Sequence, residues 1–300
     1  PKRQKRRIKD RRMNILITGA NGQLGNEMRR IAASTKADDH YFFTDVAELD
    51  ICDAAAVEAF VGEQAIEAIV NCAAFTNVNG AETNVELCDK LNHWAPGNLA
   101  RAAAAHHCRF IHISTDYVFD GNHYLPYKEE DEPCPNSVYG RTKLDGETLV
   151  RECCPEAVII RTAWLYSSFG NNFVKTMIKL GREKSELGVV FDQIGTPTYA
   201  ADLAAAIDVI LHSEDYVPGI YHYTDEGVCS WYDFTLAIHR EAGVEDCLVR
   251  PLHTDEYPTP AKRPHYSVLD KTKIKNTYGV AVPHWTDSLR ICIDELNNNE

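Results

Sequence analysis

The chain has 300 residues, 44% hydrophobic and 25% charged, an ordinary globular composition that excludes a disordered or fibrous protein. No apolar run approaches the roughly 18 residues of a membrane span, which excludes an integral membrane protein built on helices. The net charge is -13, yet residues 1–12 hold eight basic residues. From Met13 onward the count is 23 basic against 43 acidic, a balance unsuited to nucleic acid, because phosphate binding runs on Lys and Arg.

The basic run at 1–12 precedes an apolar strand pattern that opens at Met13, so it is expected to lie upstream of the folded protein. No apolar stretch follows it, as a secretory signal requires. Short apolar runs recur at 15–17, 41–43, 68–70, 110–113 and 158–160. They are too short for helices and lack strict alternation, which predicts strands buried on both faces. Helical spacing fills the gaps at 23–33, 84–106 and 137–152. This alternation predicts an α/β fold, a doubly wound parallel sheet of the Rossmann type. Beyond Thr162 the rhythm changes. Helices are expected near 171–181, 200–212 and 230–242, with strands at 189–191 and 220–223. The expected division is a dinucleotide-binding domain over 13–165, with segments near 189–223 returning to it. A smaller, discontinuous substrate-binding region would occupy 166–188 and 224–300. Ten cysteines at irregular spacings, without a CxxC pair, suit the free thiols of a reduced cytoplasmic protein.

The first predicted strand runs into Gly19-Ala20-Asn21-Gly22-Gln23-Leu24-Gly25 and then a helix. Glycines there permit a tight turn and close approach of a pyrophosphate, which the helix N-terminus would receive. Asp45 closes the second strand, twenty residues after Gly25. It reads either as the acceptor of a ribose 2′-OH, which favours NADH, or as a solvated loop aspartate or helix cap. Tyr139 and Lys143 are four apart in a predicted helix and therefore share a face. A neighbouring ammonium lowers the phenol pKa toward a useful range. Thr115 ends a predicted parallel strand, where such sheets place their ligands.

These segments together resemble the extended short-chain dehydrogenase/reductase superfamily and, within it, the dTDP-4-dehydrorhamnose reductase family. The resemblance runs through GANGQLG (19–25), NCAAFTNVNGAE (71–82), STDYVFDG (114–121), YxxxK (139–143), RTAWLY (161–166), NNFV (171–174), DQIGTPT (192–198) and RPHYSVLD (263–270). It implies a catalytic triad of Thr115, Tyr139 and Lys143. It implies that Gly19, Gly22, Gln23, Leu24 and Gly25 hold the pyrophosphate of NADPH or NADH. Asp50 and Ile51 would border the adenine, and Ala73, Ala74 and Thr76 the nicotinamide. Thr76, Val78, Thr115, Asp116, Trp164 and Arg263 would face a nucleotide-sugar. For Trp164 core packing is the competing reading, and for Arg263 a surface ion pair.

The chain departs from the family pattern at Phe75 (usually Tyr), Asn79 (commonly Asp) and Tyr166-Ser167-Ser168 (usually a Tyr-Gly turn). Some members bind Mg2+ through carboxylates at a dimer contact. Glu27 matches one of these, but no acid matches near 198–201, so no metal is assigned, and a homodimer stays open. The implied activity is NAD(P)H-dependent reduction of a nucleotide-linked 4-keto sugar. Dehydratases of the superfamily carry Glu where this chain has Tyr117, whereas epimerases share the Tyr and Lys. A non-catalytic subunit like the methionine adenosyltransferase β subunit is the alternative outside enzymes.

Overall fold

The computed structural model describes residues 12–34 and 39–298. The basic run therefore lies outside the described residues except for Arg12. Five strands follow one another as expected: β1 (Asn14–Thr18), β2 (His40–Thr44), β3 (Ala68–Asn71), β4 (Arg109–Thr115) and β5 (Val158–Thr162). With Gly219–His222 they form one parallel sheet in the order Gly219–His222, β5, β4, β3, β1, β2. Both faces are covered, which explains the unbroken apolar runs. Ile15 and Ile17 point into one core and Leu16 into the other, all three without solvent exposure. Burying each such side chain contributes about 1.5–3 kcal/mol.

One face is covered by α1 (Gln23–Ser34) and the helix Ala200–Leu211. The other carries α2 (Ala54–Glu63) and α5 (Ala95–Ala105), against which α6 (Val138–Cys153) packs. The short helices α3 (Val78–Ala81) and α4 (Val85–Asp89) lead into α5 through a π-helical turn, Lys90–Trp94. The single helix expected over 84–106 is thus interrupted. Pro96 lacks an N–H and its ring would press on the preceding turn of a regular helix, so the extra residue is accommodated just before it.

A second core joins Tyr166, Val174, Ile178, Phe234, Trp285 and Leu289. Of the segments expected to return to the large sheet near 189–223, the helix and Gly219–His222 do so. The strand expected at 189–191 does not. It spans Glu186–Val190 and pairs with Leu248–Leu252 in the second core. A strand's own residues state its burial but not its partner.

Candidate active site

Strand β1 has β2 on one side and β3 on the other, so the chain reverses its direction of travel across the sheet at the β1/β3 boundary. Ligands of open α/β sheets bind at such a point, beyond the carboxyl ends of the strands. A cleft of about 930 Å3 opens there. Gly19 follows β1 with φ +63, and a Cβ on it would lie 2.7 Å from the Ala73 backbone, which follows β3. A Cβ on Gly25 would stand 2.4 Å from the Gly19 carbonyl. The turn is therefore as close to its neighbours as backbone allows, and the unpaired N–H groups at the start of α1 face the cleft. These residues fit a dinucleotide pyrophosphate. Leu24 is buried beneath it.

Asp45 lines the cleft, and its carboxylate is already engaged. Oδ2 accepts from the Asn21 N–H at 3.2 Å and Oδ1 from the Val46 N–H at 2.9 Å. It pins the phosphate turn to the end of β2. Asp50 and Ile51 line the same end, while Ala73, Ala74, Thr76 and Val78 line the wall beyond β3. That wall is held by Asn92 of the π-helical turn. Its Oδ1 accepts from the Phe75 N–H at 2.8 Å and its amide donates to the Phe75 carbonyl at 3.1 Å. The interrupted helix thereby aims a fully buried amide at the cleft wall.

Thr115, Tyr139 and Lys143 all line the cleft, and Thr115 and Tyr139 are hydrogen-bonded to each other. Thr115 Oγ1 donates to Asp116 Oδ1 at 3.0 Å. Burial pushes the Asp116 carboxyl up to about 6. Burial also raises the Tyr139 phenol above its ordinary value, with its hydrogen bond with Thr115 opposing the shift and Asp116 adding to it. Lys143 follows one turn along the same helix, and its Nζ donates to the Ile113 carbonyl at 2.6 Å. Desolvation lowers the Lys143 ammonium to about 8, and Glu147 resists that shift. Glu147, one more turn along α6, accepts from Ser114 Oγ at 2.5 Å and from Arg161 Nε and Nη2 at 2.9 and 2.7 Å. This buried cluster fastens α6 to β4 and β5. The i+4 series 139, 143, 147 was a usable signal for it.

At the other end, Trp164 is half-buried, and its ring stacks on Trp231 at a centroid distance of 3.5 Å and 9°. Both indoles line the cleft and also pack against the second core, so Trp164 joins the two settings. Its backbone is left-handed, φ +48, and a Cβ on Gly195 would strike the indole at 2.6 Å. Trp231 was missed because nothing in spacing links it to Trp164. Arg263 is half-buried and makes no ion pair among the described residues. Nη1 donates to the Tyr117 hydroxyl at 2.7 Å and Nη2 to Asn79 Oδ1 at 3.0 Å. Glu27 is buried away from the cleft, accepting from Ser167 Oγ at 2.6 Å and paired with Arg30 at 3.3 Å. Arg30 already supplies its cation.

Residues 13–298 match the family model described as the RmlD substrate binding domain. A dTDP-4-dehydrorhamnose reductase of Aggregatibacter actinomycetemcomitans is 40% identical over 285 residues, covering 92% of this chain and 97% of the relative. Among solved structures, a dTDP-4-dehydrorhamnose reductase from Clostridium acetobutylicum is 46% identical with a TM-score of 0.91, over 95% of this chain and 100% of that one. The dTDP-4-dehydrorhamnose reductase of Bacillus anthracis, solved in complex with NADP, is 37% identical with a TM-score of 0.90 over the same shares. By fold, by cleft and by these likenesses along nearly its whole described length, the chain belongs to the RmlD family of dTDP-4-dehydrorhamnose reductases.

Proposed function

We propose that the protein reduces the 4-keto group of a nucleotide-linked sugar, dTDP-4-dehydro-L-rhamnose, with NADPH or NADH as reductant. The observation that carries this reading is a single cleft with a dinucleotide turn at one end, an arginine and stacked indoles at the other, and Thr115, Tyr139 and Lys143 between them. When bound, the reduced nicotinamide supplies the hydride. The turn at Gly19, Gly22 and Gly25 and the start of α1 would hold its pyrophosphate, and Asp50, Ile51, Ala73 and Ala74 would flank its rings.

Burial keeps the Tyr139 phenol protonated at neutral pH, which is the form a reduction needs. Tyr139 gives its proton to the developing alkoxide, and Thr115 orients the reacting oxygen from the end of β4. Lys143 carries a positive charge below about pH 8 and would bind a ribose hydroxyl. Tyr117 stands where dehydration would require a carboxylate base, and its hydroxyl accepts from Arg263. Asp45 disfavours a 2′-phosphate on charge grounds, whereas the Bacillus anthracis relative was solved with NADP, so both reductants belong in the assay.

The test is oxidation of NADPH and of NADH with dTDP-4-dehydro-L-rhamnose generated in situ. Tyr139→Phe is expected to lower turnover by about 10^2–10^4 while NADPH still binds. A variant turning over at the wild-type rate would refute the assignment.

A further inference from the structure

Arg263 reaches the cleft as a cation whose two acceptors are both neutral. Its guanidinium offers five N–H donors. One meets the Tyr117 hydroxyl and one meets Asn79 Oδ1. The Tyr117 ring also lies under the guanidinium, 5.8 Å from centroid to Cζ. No carboxylate pairs with Arg263 among the described residues. Arg30 and Arg161 are treated differently, since each meets a glutamate directly.

The charge therefore survives where it matters. Three cations line the cleft: Lys90, Lys143 and Arg263. Lys90 acts on Cys52, beside Asp50 and Ile51 at the adenosine end. Lys143 is tied to the Ile113 carbonyl. Arg263 alone of the three serves the sugar-nucleotide end. A planar guanidinium fork suits a diphosphate, whose oxygens accept charge-assisted hydrogen bonds in pairs.

We infer that Asn79 and Tyr117 keep the full charge of Arg263 available to the substrate's diphosphate by accepting its hydrogen bonds without neutralising it. This rests on the reading of the substrate as a nucleotide-sugar. Asn79 is the determinant because its amide matches a carboxylate in shape but not in charge. An acid at that place would keep the 3.0 Å contact and add an ion pair that the incoming diphosphate must displace. Tyr117 ties this end to the chemistry. Its ring packs edge-on against Tyr139, with centroids 5.5 Å apart at 76°, so the residue that steadies Arg263 also abuts the reacting phenol.

The experiment uses the full chain and dTDP as probe, with calorimetric titration and steady-state kinetics. Asn79→Asp is expected to weaken dTDP binding and raise the sugar KM about fivefold, the size of a half-exposed ion pair, with kcat and NADPH binding unchanged. Raising the salt concentration should weaken dTDP binding to the wild type more steeply than to Asn79→Asp. Asn79→Ala, which adds no charge, should change dTDP binding by less than about twofold. Equal weakening by the Asp and Ala variants would mean a structural role and overturn the inference, as would dTDP binding unaffected by Asn79→Asp. A wild type that binds no dTDP would instead overturn the substrate reading, and this inference with it.

Discussion

Replacing Glu147 with Gln removes one charge from the buried cluster that seats α6 on β4 and β5. Both partners of its ion pair are 2% exposed, so solvent offers the Arg161 guanidinium little compensation. An unpaired buried charge of this kind costs about 3–5 kcal/mol. Unfolding a chain of this length carries an entropy near 0.6 kcal/mol per kelvin, so Tm should fall by about 5–8 °C. A second effect is electrostatic. Lys143 lies one turn away and already titrates near 8. Loss of the anion disfavours the ammonium, so its pKa falls. At the roughly 6 Å spacing of an i,i+4 pair, the shift is about 1–2 pH units.

Calorimetry and the pH profile of kcat/KM for NADPH oxidation read the two effects separately. The alkaline limb of the wild type is expected near pH 8 and should move to lower pH in Glu147→Gln. A double variant, Glu147→Leu with Arg161→Met, removes both buried charges and should recover most of the lost Tm while keeping the shifted limb. An unchanged Tm together with an unmoved limb in Glu147→Gln would refute the reasoning.

Gly25→Ala should weaken NADPH binding at least about tenfold by titration, because the new methyl meets the Gly19 carbonyl at 2.4 Å and the turn must open. Trp231→Leu should abolish the circular-dichroism couplet of the stacked indoles and raise the sugar KM about fivefold, leaving NADPH binding intact. Burial, reinforced by Asp202, pushes the Asp225 carboxyl up to about 8. Between about pH 4 and 8 the native state thus holds a proton that the unfolded chain has lost, and this contribution declines as pH rises through the window. In denaturant titrations, Asp225→Asn should gain on the wild type across that range, by at least about 1 kcal/mol at pH 8. A gap independent of pH would contradict the assignment.

The strands β1 to β5 were legible because burial on both faces leaves a short, unbroken apolar run. The phosphate turn was legible because glycines are required where a Cβ would strike backbone. Tyr139 and Lys143 were legible because helical spacing is regular. The helix Ala54–Glu63 was not read, since its alanines blur any apolar stripe, although Asp53 caps it through the Ala55 and Ala56 N–H groups. The π-helical turn had only Pro96 as a marker. Contacts between distant segments left no local trace, which is why Trp231 and the Asn79–Arg263 pair emerged only with the fold. The Lys143–Ile113 contact left no trace for another reason. A shared helix face brings two side chains near each other but does not decide which acceptor the longer one takes.

Helix α1 has a further consequence. Its first residue, Gln23, accepts from Asn172, Glu27 accepts from Ser167, and Arg30 reaches Glu295 and Ser168. The element proposed to receive the cofactor phosphates is also the beam on which the second core rests. Its first two turns carry polar ties to the far side, so the beam cannot slide without breaking them. One stiff helix thus ties the dinucleotide turn to the second core, so the two walls of the cleft share a common support.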